Sequence, residues 1–303
     1  VAKKESYRCS ECGWLSAKWQ GQCRQCQAWG TLAEVGASAG LAKTAVRPPI
    51  QAAQPISQVS AESAQARPSG VGELDRVLGG GIVPGAVILL AGEPGVGKST
   101  LLLTVAANAA RQAKLTGAGS VLYITGEESA SQVRLRAARI DALADNLLLA
   151  AETELGAVLG QVEQANPALL IVDSVQTIAS ADVEGSAGGT SQVRAVAAAI
   201  IALAKERNIP VLLVGHVTKD GGIAGPRVLE HLVDVVCQFE GERHARLRLL
   251  RAVKNRYGPT DEVGCFELGE RGIVELADPS GLFLSQARSE VPGTCATVTL
   301  EGR

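Results

Sequence analysis

Val87-Ile88-Leu89-Leu90-Ala91-Gly92-Glu93-Pro94-Gly95-Val96-Gly97-Lys98-Ser99-Thr100 decides the fold. The first five residues are apolar and predict a buried strand over 87–91. Gly92-Glu93-Pro94-Gly95-Val96-Gly97-Lys98-Ser99 then fits the phosphate-loop pattern G-x-x-x-x-G-K-[ST], and residues 100–113 predict a helix. In that setting the glycines let the backbone curl until its N–H groups face phosphates, and the helix adds its positive N-terminal end. Lys98 is expected to reach the β- and γ-phosphates of ATP, and Ser99 to ligate Mg²⁺ through its hydroxyl. The whole run from Gly92 to Thr100 is the expected nucleotide contact, for ATP and for its product ADP. A glycine-rich turn matching by chance is the competing reading, and the strand before and helix after argue against it.

Outward from this loop, short runs rich in Val, Ile and Leu recur at 121–125, 169–172, 211–214, 233–239 and 247–253. Residues 192–207 put Val193, Val196, Ala197, Ile200 and Ala204 on one helical face, with Ser191 as the expected N-cap. The alternation predicts an α/β domain, doubly wound about a mainly parallel sheet, whose active edge lies where strands end and helices begin. Acids end two of these strands. Asp173 follows Leu169-Leu170-Ile171-Val172 and is the expected holder of the magnesium shell, with a helix-capping role as the alternative. Tyr123-Ile124-Thr125-Gly126-Glu127-Glu128 delivers two carboxylates, of which Glu127 is favoured to activate the attacking water and Glu128 stands second. The alternative for that pair is an acidic helix start favoured by the helix dipole. His216 ends another strand and reads equally as a γ-phosphate sensor or a structural residue.

Toward the N-terminus, Cys9-x-x-Cys12 and Cys23-x-x-Cys26 are separated by ten residues and supply four thiolates on two tight turns, a tetrahedral Zn²⁺ set. Iron in a rubredoxin-like site would use the same ligands. Four protein ligands imply a structural ion rather than a catalytic one. Trp14, Trp19 and Trp29 lie in the same segment and are expected to pack around the metal, with a partner surface at Trp19 or Trp29 as the alternative. The reading is a small four-cysteine zinc-binding module over 1–35, a linker over 36–66 rich in Ala, Gln, Ser and Pro, and an ATPase domain over 67–285. Seven cysteines, three of them (Cys237, Cys265, Cys295) alone in apolar segments, favour thiols and metal over disulfides. A hydrophobic share of 46% and a charged share of 20% fit a packed globular chain. The formal charge of −2 gives no global attraction for nucleic acid, so any such site must be a local patch. No apolar run approaches the length of a membrane span, and the expected location is cytoplasmic.

Four blocks together resemble the bacterial RadA (Sms) family of RecA-like DNA repair ATPases. They are the four-cysteine segment, Gly70-Val71-Gly72-Glu73-Leu74-Asp75-Arg76-Val77-Leu78-Gly79-Gly80-Gly81, Gly215-His216-Val217-Thr218-Lys219, and Lys254-Asn255-Arg256-Tyr257-Gly258, where the family usually has Phe in place of Tyr257. The resemblance spans 7–303 and implies a RecA-like P-loop core in a homo-oligomeric, hexameric ring. It further implies translocation on single-stranded DNA, branch migration of recombination intermediates and a RecA-type recombinase as partner. It implies that Lys254 and Arg256 reach the ATP of a neighbouring subunit; a solvated basic strand is the other reading, since six Lys or Arg lie between Arg243 and Arg256. Loops at 179–190 and 218–227 are expected to line a DNA channel, with Lys219 and Arg227 meeting phosphates. Residues 286–303 resemble the start of a truncated C-terminal Lon-protease-like domain. A different functional class also fits: an ATP-gated scaffold for DNA and recombinase, in which slow hydrolysis only resets binding.

Overall fold

The computed structural model describes residues 7–34, 55–58, 64–216, 228–241, 245–269 and 272–277. Most of the expected linker, Lys219, Arg227, Cys295 and residues 286–303 lie outside the described residues. The chain divides into two compact units, Val1–Val59 and Ser60–Arg303.

In the smaller unit β1 (Tyr7–Cys9) pairs antiparallel with both β2 (Leu15–Ser16) and β3 (Leu32–Glu34). A core of Cys9, Cys23 and Leu32, with Tyr7 and Trp14 packed on it, is too small to hold a fold without a staple. Trp19 and Trp29 are 63% and 76% exposed, so only Trp14 takes the expected packing role.

The described residues of the larger unit form α1 (Gly72–Leu78), β4 (Val87–Gly92), α2 (Lys98–Thr116), β5 (Val121–Thr125), α3 (Ala130–Arg139), β6 (Leu147–Ala151) and α4 (Leu155–Ala165). They continue with β7 (Leu169–Asp173), α5 (Thr190–Arg207), β8 (Val211–His216), β9 (Val235–Glu240), β10 (Leu247–Asn255), β11 (Val263–Gly269) and β12 (Gly272–Glu275). Among these residues one sheet runs β12-β11-β10-β9-β4-β8-β7-β5-β6, parallel from β9 to β6 and antiparallel from β9 to β12.

Alternation along the strands builds two cores. Ile88, Leu90, Val121, Tyr123, Leu169 and Ile171 face one side, under α1, α2 and α3. Val87, Leu89, Leu122, Ile124, Leu170 and Val172 face the other, under α4 and α5. Strands buried on both faces read as unbroken apolar runs, which is the signature the sequence carries. The expected strands and the doubly wound arrangement are present.

Helix α2 and strand β10 run a few residues beyond their expected ends, and three further details differ. Helix α5 starts at Thr190 with Gly189 as N-cap and no side-chain cap, so Ser191 is not the cap. Strand β9 starts at Val235, because Val233 closes a turn onto Leu229 and the Asp234 carboxylate accepts the Val87 N–H at 2.9 Å. The segment after β7, expected as a loop lining a DNA channel, is stapled by buried Gln192: its amide donates to the carbonyls of Ser180, Val183 and Gly185, and its oxygen accepts from Ser180 N.

Candidate functional site

Parallel register brings the C-terminal ends of β4, β8, β7 and β5 to one edge in that order, so Gly92, His216, Asp173 and the Thr125-Gly126-Glu127 turn stand side by side. Gly92 leaves β4 under the backbone of β9: a Cβ there would lie 2.3 Å from Phe239 O, so no larger residue fits. Gly97 caps α2 at φ 113, a conformation open to glycine, and turns the chain into the helix.

Lys98 is buried on the first turn of α2 and folds back over the loop, donating to Gly92 O and Glu93 O, each at 2.9 Å. Burial lowers its ammonium to about 8, and the charges of Asp173 and Glu127 oppose that shift. An incoming phosphate would therefore meet a cation parked on two loop carbonyls and within the field of two carboxylates.

Asp173 is buried, and its Oδ2 accepts the Tyr123 hydroxyl at 2.6 Å. Burial and the adjacent Asp173 charge push the Tyr123 phenol well up, so it stays a proton donor to the carboxylate. Asp173 Oδ1 is buried with no hydrogen-bond partner among the described residues. A buried carboxylate oxygen without a partner at a phosphate site fits a magnesium shell.

The two glutamates diverge. Glu128 pairs with Arg136 of α3, which occupies its carboxylate. Glu127 reaches across β7 toward β8: its Oε1 accepts from Ser174 Oγ at 2.7 Å and lies 2.8 Å from His216 Nε2. Its carboxylate is thus fixed from two strands and stands between Asp173 and the end of β8.

Lys254 and Arg256 are at the opposite edge. Strand β10 runs antiparallel to β9, so its C-terminal end meets the start of the parallel strands. Arg256 Nη1 lies 3.1 Å from Asp234 Oδ1, and Asp234 Oδ2 accepts from Val87 N at the first residue of β4. Five strand steps, about 17 Å, separate that point from Gly92. A bulge at Val253 shifts the pairing so that Ala252 sits opposite Cys237 but Lys254 opposite Val236. Cys237 and Val236 face different cores, so the bulge moves Lys254 to the α4/α5 side, where it donates to Glu230 O and Val233 O at 2.7 Å. Neither residue reaches its own chain's phosphate loop.

Tyr123, Ser174, Gln192 and the β10 arginine Arg248 were not singled out as site residues by sequence reasoning. Tyr123 had a signal: a Tyr inside an otherwise apolar buried strand needs a partner for its hydroxyl. Ser174 and Arg248 had none, because their partners are distant in the chain.

In the smaller unit the four cysteine sulfurs lie within 4.8 Å of one another. Cys9–Cys26 and Cys12–Cys23 are each 3.6 Å apart, close to the about 3.8 Å edge of a tetrahedron with Zn–S bonds of about 2.3 Å. Matched turns present them: Gly13 N bonds Cys9 O and Gln27 N bonds Cys23 O. Thr31 lowers the Cys9 thiol to about 6. Cys12 is pushed up to about 12, the Trp14 backbone opposing while burial and the neighbouring sulfurs prevail. Four cysteine sulfurs this close, at the spacing of tetrahedral ligands, fit Zn²⁺, which would hold them as thiolates.

These two sites define the class: a P-loop ATPase domain preceded by a four-cysteine zinc ribbon. An AAA domain family matches residues 52–222, and a rubredoxin metal binding domain family matches residues 7–34. "DNA repair protein RadA" of Mycobacterium tuberculosis (strain ATCC 25618 / H37Rv) is 53% identical over 304 residues, covering 99% of this chain and 62% of the relative. Proteins of the same name from Listeria monocytogenes and Streptococcus pyogenes are 45% and 44% identical, covering 97% and 99% of this chain and 64% and 65% of theirs. The chain belongs to this RadA family and spans less than two thirds of the length of these relatives. No helix among the described residues is long and apolar enough to cross a membrane.

Proposed function

We propose that this chain is the ATP-hydrolysing part of a DNA repair and recombination protein, working in a ring on single-stranded DNA and promoting branch migration. The observation that carries the hydrolytic reading is Glu127, a carboxylate held by Ser174 and His216 on the same edge as Lys98 and Asp173. The backbone N–H groups of 92–97 and Lys98 bind the β- and γ-phosphates, which requires Lys98 to release its bonds to Gly92 O and Glu93 O. Ser99 Oγ and Asp173 Oδ1 would hold Mg²⁺, which offsets phosphate charge when bound with the nucleotide. Glu127 takes a proton from the attacking water as its oxygen bonds to the γ-phosphorus, and the bond to the β-phosphate oxygen breaks to leave ADP and phosphate. Ser174 and His216 keep that carboxylate aimed.

The placement of Lys254 and Arg256 at the opposite end of the parallel strands from their own loop supports a role in a neighbour's site. The head-to-tail contact this needs closes into a ring, and the family resemblance favours six members. The relatives are named for DNA repair, which supports a DNA-bound motor with a recombinase as partner. The test is ATP turnover with and without single-stranded DNA. The wild type is expected to be stimulated, Lys98→Ala to lose nucleotide binding, and Glu127→Gln to keep binding while turnover falls about 10²–10⁴-fold. Turnover indifferent to DNA would remove the motor reading, and an active Glu127→Gln would remove Glu127 as base.

A further inference from the structure

Arg248 is a basic residue in the core, 4% exposed near the start of β10. Burying a guanidinium is costly unless its N–H groups are taken up, so its acceptors indicate what it is there to hold. Nη1 donates to Ala245 O at 2.6 Å and Leu247 O at 2.9 Å, anchoring the head to its own strand entry. Nε donates at 3.1 Å to Val96 O, inside the phosphate loop and 152 residues away. Gly241 makes room for this pose, since a Cβ there would lie 2.3 Å from Arg248 Cδ and 2.8 Å from Nε.

The acceptor is the informative detail. In a trans peptide the carbonyl and the following N–H point in opposite directions. A donor fixed on Val96 O from the core side therefore turns the Gly97 N–H outward, the direction in which the loop's amides meet phosphate. Gly97, at φ 113, has little of its own to resist rotation of that peptide.

We propose that Arg248 is a positioning residue of the nucleotide site: it fixes the 96–97 peptide so that the Gly97 N–H faces the phosphates. This rests on the reading of 92–99 as the phosphate loop. Arg248 touches no nucleotide; it acts through the Val96 carbonyl, and its site on β10 ties the loop to the strand whose other end carries Lys254.

The test measures ADP affinity with Mg²⁺ by calorimetry, together with KM and kcat for ATP, in Arg248→Met, Arg248→Lys, Gly241→Ala and Leu250→Val. Met keeps the bulk and removes the donor; Lys restores a charge without the Nε fork; Gly241→Ala displaces the guanidinium by a direct clash while leaving Arg248 itself unchanged. Leu250 is fully buried on the same strand and touches no loop atom by hydrogen bond, so Leu250→Val reports strand stability alone. Arg248→Met is expected to weaken ADP and raise KM about tenfold, with a smaller loss for Gly241→Ala and partial recovery for Arg248→Lys. Leu250→Val should lower the melting temperature while leaving affinity intact. An Arg248→Met affinity within twofold of wild type would overturn the proposal, as would equal affinity losses in Arg248→Met and Leu250→Val at equal melting temperature. Failure of the wild type to bind ADP would instead overturn the phosphate-loop reading.

Discussion

Lys98 shows how one side chain can hold a site ready. Its ammonium is buried and bonded to two loop carbonyls, and burial lowers it to about 8 against the pull of Asp173 and Glu127. The charged form is the one a phosphate stabilises, so bound nucleotide raises this value again. Affinity should therefore be flat below pH about 8 and weaken by up to about tenfold per pH unit above it. Calorimetric titration of ADP from pH 7 to 9.5 measures this, and an affinity constant across that range would contradict it. Residues of this kind are legible in sequence because their chemistry is written locally: Lys98 and Ser99 lie in one octet, and Cys9 and Cys12 in one turn. Arg248 looks in sequence like one more cation in a basic stretch, and its contact with Val96 exists only after β9 and β10 fold beside β4. The choice between Glu127 and Glu128 was open for the same reason, since Arg136, Ser174 and His216 separate the pair in space.

The elements differ in how firmly they are specified. Strands β4, β5, β7 and β8 are buried on both faces and appear as unbroken apolar runs. Strand β6 sits at the sheet edge with no fully buried residue, so Leu147-Leu148-Leu149 carries neither a period nor a clear boundary. Strands β11 and β12 were missed too, because β12 is four residues long and half-exposed and β11 turns polar midway. The same distinction sets stability. Leu170→Ala in β7, fully buried, should cost about 2–5 kcal/mol, whereas Leu148→Ala in β6, 40% exposed, should cost about 0.5 kcal/mol or less. Urea unfolding of both variants checks the contrast. The bulge in β10 is beyond sequence reading: it is a one-residue shift that leaves the apolar pattern nearly intact, yet it moves Lys254 to the other face of the sheet.

At the scale of the whole chain, the ribbon and the ATPase unit have separate hydrophobic clusters and separate chemistries. Chelating zinc should unfold the ribbon, removing the near-ultraviolet signal of Trp14, while ADP affinity stays within about twofold of its starting value. Loss of nucleotide binding on chelation would mean that the two units depend on each other. The central claim concerns the ATPase unit: its own edge supplies Lys98, Asp173 and Glu127, and Lys254 and Arg256 sit too far away to act on the same nucleotide. Mixing two inactive variants tests this most directly. Lys98→Ala lacks the loop cation and Arg256→Ala the donated guanidinium, so neither should hydrolyse ATP alone. In a 1:1 mixture about a quarter of the head-to-tail interfaces would pair an intact loop with an intact arginine, and turnover should reappear in proportion. A mixture as inactive as its components, or an Arg256→Ala chain turning over at the wild-type rate, would contradict a site shared between subunits.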